Sequence, residues 1–178
     1  MTRIAWDGTP EWRVEVAEVG IADDGVAGTG AQIGSTPKPY RAFYELEARG
    51  DWITKRFRVE VAGVGSIELR HDGKGSWTGV RNAGDLEGAL DVDLAFSPLT
   101  NLMPVRRHRL HEEPGTVDFA MAWVSLPDLA VHRSEQRYEH LEPGRVRFSD
   151  DSGFVAELEL DRDGVILVYP ELARRSAA

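Results

Sequence analysis

Two carboxylates two residues apart, Asp91 and Asp93, followed downstream by the basic pair Arg106-Arg107, are the residues whose types and spacing best suit chemistry. On a strand, both acids project from one face while Leu90, Val92 and Leu94 project from the other. Paired carboxylates roughly 5–10 Å apart serve as general acid and base at glycosidic bonds, the pattern of a small hydrolase or isomerase. The alternative is a polar cluster in which the two acids neutralise Arg106 and Arg107. If 105–110 is a strand, the two arginines point to opposite faces. At most one of them then faces a cavity, where its planar fork of donors would clamp a phosphate, sulfate or carboxylate; the other reading pairs it with a nearby acid. Asn101, in a Pro-Leu-Thr-Asn turn, suits local backbone groups or a ligand.

Aromatic residues supply a second set of candidates. Trp12, Trp77 and Trp123 fall on separate predicted strands, where such side chains either fill a core or line an apolar pocket. Tyr138 and Tyr169 add hydroxyls that cap a sheet or meet a ligand. His108, His111, Glu112 and Glu113 look like metal ligands, but strand geometry puts the two histidines on opposite faces, and helical geometry leaves no third ligand for zinc. Gly28-Thr29-Gly30 lacks nucleotide-loop spacing, and Gly-x-Ser-x-Gly is absent, so no cofactor is expected.

The elements that position these residues read as strands. Apolar and polar residues alternate over 12–19, 42–48, 53–61, 66–70, 88–94, 117–125, 153–161 and 164–169, the period of a half-buried sheet. In 12–19 the inward set reads Trp12, Val14 and Val16; in 42–48 it reads Ala42, Tyr44, Leu46 and Ala48. Asp24-Gly25, Asp72-Gly73, Pro114-Gly115, Pro143-Gly144 and Asp163-Gly164 mark hairpin turns. The best helix begins at Ser97-Pro98 and ends near Met103, before Pro104. Residues 20–39 read as a long loop with one poorly patterned strand. About ten strands must roll up or split into layers to cover their edges, and a roll can leave an apolar concavity.

The 178-residue length fits one domain over 1–178. A net charge of −9 opposes nucleic-acid binding. The absence of cysteine excludes disulfides and thiol chemistry. No segment has the length and apolarity of a membrane span or signal sequence, which places the expected location in the cytoplasm.

The stretch from Gly88 to Arg107 is the most distinctive. Its Asp91-Val92-Asp93-Leu94, Ser97-Pro98-Leu99-Thr100-Asn101 and Pro104-Val105-Arg106-Arg107 segments resemble the central motif of a bacterial family named putative glycolipid-binding. Tyr40, Gln136-Arg137-Tyr138, and Asp161 through Gly164 leading to Tyr169-Pro170 extend the resemblance over nearly the whole chain. The resemblance implies an all-β fold: one strongly curved antiparallel sheet, a spiral roll or half-open barrel with little helix, similar to periplasmic lipoprotein carriers. It also implies a glycolipid or other amphiphile bound in the roll. The family's functional name rests on shape, and such carriers have secretion signals, which this sequence lacks. The residues expected at the ligand are Asp91, Asp93, Asn101, Arg106, Arg107, Trp77, Trp123, Tyr138 and Tyr169. A protein-interaction module, including a homo-oligomer paired through a strand edge, is the remaining alternative.

Overall fold

Short alternating runs broken by Asp-Gly and Pro-Gly turns favour strands over helices, and the computed structural model, which describes residues 1–177, assembles them into one sheet of 14 strands. The first limb contains β1 (Thr2–Gly8), β2 (Arg13–Ala22), β3 (Gly25–Gly34), β4 (Tyr40–Arg49), β5 (Ile53–Val61), β6 (Gly65–His71) and β7 (Trp77–Thr78). The second contains β8 (Asp91–Leu94), β9 (Thr116–Val124), β10 (Val131–Glu142), β11 (Arg145–Asp150), β12 (Val155–Leu160), β13 (Ile166–Tyr169) and β14 (Ala173–Arg175). The order across the sheet runs from β7 down to β1, then from β14 down to β8. Each limb is therefore a meander of neighbouring strands. The limbs join where β1 pairs with β14, in a register that sets Trp6 against Arg175. The sheet is strongly curved and does not close.

Strand β8 runs parallel to β9, in contrast to the antiparallel pairs elsewhere. A parallel pair requires a crossover, and here it passes through a short 3-10 turn (Leu99–Asn101) and helix α1 (Leu102–Arg107). The crossover is buried and links two apolar clusters. Leu102 and Met103 pack with the β1–β6 core, whereas Val105 and Leu110 pack with Tyr138, Phe148 and Leu158.

The predicted inward faces of β4 and β5 match the buried ones: Ala42, Tyr44, Leu46, Ala48, Phe57, Val59 and Val61 are all covered. Strand β2 is inverted. Arg13 and Glu15 lie inside with Ala17 and Val19, while Trp12 stands 62% exposed before the strand and Val16 faces out. Period two establishes that faces alternate, not which face is inward; polar partners inside the fold accept Glu15, and the Arg13 guanidinium lies against the Phe96 ring.

The predicted loop over 20–39 contains β3 along its whole length. Its glycines face large neighbours: a methyl group at Gly30 would collide with the Tyr44 ring, and one at Gly34 would sit 2.7 Å from the ring of Tyr40. The tyrosines of β4 fill the space that β3 leaves empty. The predicted helix start also shifts. Pro104 lies in the first turn of α1, where a missing N–H leaves no intrahelical bond unmade, so α1 continues through it to Arg107. Among the described residues, no helix is long and apolar enough to cross a membrane.

Candidate functional site

Strands β8, β10 and β11, the turn at 95–97 and the link from β13 to β14 surround a cavity of about 590 Å³. That volume lies within the roughly 300–1,000 Å³ of small-molecule sites. The wall is mostly apolar and aromatic, with Phe96, Trp123, Phe148, Phe154, Tyr169 and Leu172 facing it. Phe148 centres 6.1 Å from Phe154 and 6.0 Å from Tyr169, and Trp123 stacks on His132 at 6.1 Å. Alternation on β10 places Ser134 and Gln136 toward this space, with Tyr138 further along the same face.

One pole of the cavity is polar. Asp93 accepts from Thr100 Oγ1 at 2.9 Å and from Gln136 Nε2 at 2.8 Å. Burial nevertheless pushes its carboxyl up to about 6, because those two hydrogen bonds only partly offset the lost hydration. The bond to Asp93 orients the Gln136 amide and leaves Gln136 Oε1, on a side chain 4% exposed, with no hydrogen-bond partner. A buried acceptor without a donor costs about 1–3 kcal/mol. Ser134 Oγ accepts weakly from Gln136 Nε2 at 3.5 Å and keeps its own O–H to donate. Asp150 and Asp151 stand on the rim.

The turn at 95–97 is held from behind by polar side chains on the inner faces of β2 and β3. Ser97 Oγ donates to Glu15 Oε1 at 2.7 Å, Gln32 Nε2 reaches the Ala95 carbonyl at 3.4 Å, and the Arg13 guanidinium lies 3.9 Å from the centre of the Phe96 ring. Tyr44 also donates its hydroxyl to Glu15. Full burial pushes the Glu15 carboxyl up to about 7, against the opposing effect of these donors and of Arg13. Phe96 has φ of 67°, a left-handed conformation unfavourable to a bulky residue, which the three anchors hold in place.

Of the residues singled out in the sequence, Asp93, Asn101, Trp123 and Tyr169 line this cavity. Tyr138 lies beneath it, fully buried, and donates to Asn101 Oδ1, whose Nδ2 in turn holds the Ser97 carbonyl at 3.2 Å. Trp77 is in the core of the other limb, with its Nε1 donating to the Ala89 carbonyl at 2.8 Å.

Asp91 and Arg107 form a buried ion pair away from the cavity lining. Arg106 lies over the Trp52 ring at 4.8 Å and donates to the Asp163 carbonyl at 3.1 Å. Both arginines, on a helix instead of the expected strand, face a separate polar cleft of about 470 Å³ that also holds His111 and Asp51. Asp91 and Asp93 thus engage different partners and do not share a cleft.

Ser134, Gln136, Phe148 and Phe154 are cavity residues that the sequence reading does not single out as site candidates. Gln136 belongs to a distinctive tripeptide, and a polar residue in phase with Tyr138 on one strand is the signal that points to it. Among the described residues, no cluster of histidine and acidic side chains suits a metal ion.

A family model described as Putative glycolipid-binding matches residues 3–175. The crystal structure of a DUF1089 family protein from Pseudomonas aeruginosa is similar over 94% of both chains, with 26% identity and a TM-score of 0.76. No curated protein matches.

Proposed function

This chain belongs to the family described as Putative glycolipid-binding, and from that premise we propose that it binds an amphiphile in the cavity between β8, β10, β11 and β13. The acyl portion lies along Phe148, Phe154, Trp123 and Leu172, and the headgroup lies at Asp93, Gln136 and Asn101. The observation that carries this reading is the continuity of an aromatic wall and a buried polar pole within one space of about 590 Å³. Removing apolar surface from water supplies affinity at roughly 25 cal/mol per Å², and the polar pole fixes orientation.

Native mass spectrometry and organic extraction of the purified protein test the reading, with Ser134→Trp as the control. An indole at position 134 occupies the cavity without altering the strand pairing of β10. We expect a co-purified amphiphile at one equivalent in the wild type and its loss in the variant. A clean protein mass, together with no thermal stabilisation by octyl glucoside, overturns it.

A further inference from the structure

The unused hydrogen-bonding capacity around the cavity is unequal in sign. Gln136 Oε1 is an acceptor without a donor, and Asp93 brings a buried carboxylate beside it. Asp150 and Asp151 line the same space, and neither makes an ion pair with an arginine or lysine among the described residues. The guanidinium that lines the cavity, that of Arg133, is already engaged: Nε donates to Glu135 at 2.6 Å and Nη1 to the Glu87 carbonyl. Arg106 and Arg107, the side chains best suited to clamp an anion, are turned to the other cleft. A phosphate, sulfate or carboxylate headgroup would therefore meet carboxylates with no free arginine or lysine among the described lining residues to compensate.

A hydroxyl fits where an anion does not. It donates to Gln136 Oε1 and accepts from the Ser134 O–H, whereas an ammonium group only donates and must give up its hydration to enter. Building on the amphiphile reading above, we infer that the polar pole of this cavity selects an uncharged, hydroxyl-bearing headgroup, such as a glycosyl or polyol group, and discriminates against anionic lipids. Burial that holds the Asp93 carboxyl near 6 keeps most of this negative charge in place at neutral pH and reduces it under acid conditions.

Calorimetric titration of the wild-type protein at pH 7.5 with octyl β-glucoside, sodium octyl sulfate and octylammonium chloride, which share one chain length, separates the possibilities. The glucoside is expected to bind about tenfold or more tightly than the sulfate, the scale that one like-charge contact imposes. Equal or tighter binding of the sulfate or the ammonium overturns the headgroup inference and leaves the amphiphile reading standing. Binding of none of the three removes both. Gln136→Leu sharpens the result: it should lower glucoside affinity while leaving the weaker affinity for octane, which has no hydroxyl, within about twofold, and equal losses for both would show that the side chain acts only on the fold.

Discussion

The two limbs use the same alternation to opposite ends. Behind β4 and β5, inward Tyr44, Leu46, Phe57 and Val59 belong to one buried cluster with Trp6, Leu69 and Leu94. Behind β10 and β11, inward Ser134, Gln136 and Phe148 face a hollow. Close-packed interiors need large side chains facing large side chains. Here Ala95 and Ser97 on the crossover line the same hollow as Ser134 and Gln136 on β10. The first limb is the scaffold against which the wall of the second is positioned.

The largest effect should come from matched truncations in the two limbs. Phe57→Ala removes a ring with 0% exposure and should lower unfolding free energy by about 3–5 kcal/mol. Phe154→Ala, at the half-buried cavity wall, should cost less than half as much, because its ring is already next to open space. Urea denaturation of both measures the contrast, and equal losses would show that the hollow is closed by packing in solution.

The next effect concerns the polar network that connects the limbs. Glu15 and Asp93 both have folded pKa values above their ordinary ones, about 7 and about 6. The folded state therefore binds these protons more tightly than the unfolded state. Their contribution to stability is fully present below roughly pH 4 and is lost as pH rises through 6 and 7. Thermal midpoints should fall between pH 5 and pH 8, the two groups together removing on the order of a few kcal/mol of stability across that range. Glu15→Gln keeps acceptors for Tyr44 and Ser97 and removes the buried charge. It should leave stability at pH 5 nearly unchanged and raise it at pH 8, flattening the profile. A profile as steep as the wild type's would assign the pH dependence to Asp93 or to other groups.

The smallest effect lies outside. Trp12→Ser, at a side chain 62% exposed, should move stability by no more than about 0.5 kcal/mol. A larger change in the same denaturation assay would mean that Trp12 is covered in solution.

The contrast between the limbs also explains what the sequence discloses. Strand β4 is legible because Ala42, Tyr44, Leu46 and Ala48 are apolar and inward while Glu45 and Glu47 are outward. Strand β3 is not, because its packing volume is supplied by Tyr40 and Tyr44 on its neighbour, and a glycine strand has no pattern of its own. β10 is hidden for a related reason: His132, Arg133, Ser134, Glu135 and Gln136 are polar on both faces, since one face lines a cavity. Asp91 and Asp93 share a face by their spacing, but their partners come from Arg107 and Gln136, far along the chain, and spacing carries no information about them. The features that make this a candidate site are those that blur the strand signal.

The seam between β1 and β14 has a consequence for how the molecule assembles. Most strands in each limb pair with a neighbour a few residues away, so their loops close at small entropic cost. Joining Trp6 to Arg175 spans almost the whole chain, and the seam consists of three residue pairs, flanked by the Ser176 N–H on the Ala5 carbonyl at 2.8 Å, the Thr9 N–H on the Leu172 carbonyl at 2.9 Å and the Ser176 hydroxyl on Asp7 at 2.7 Å. The fold is a clasp: two locally wound ribbons fastened in the middle of the sheet by β1 and β14. A circular permutant that ties position 177 to position 2 and opens the chain at the turn around Gly73 would turn this long-range closure into one more hairpin, and should speed folding without moving a wall of the cavity.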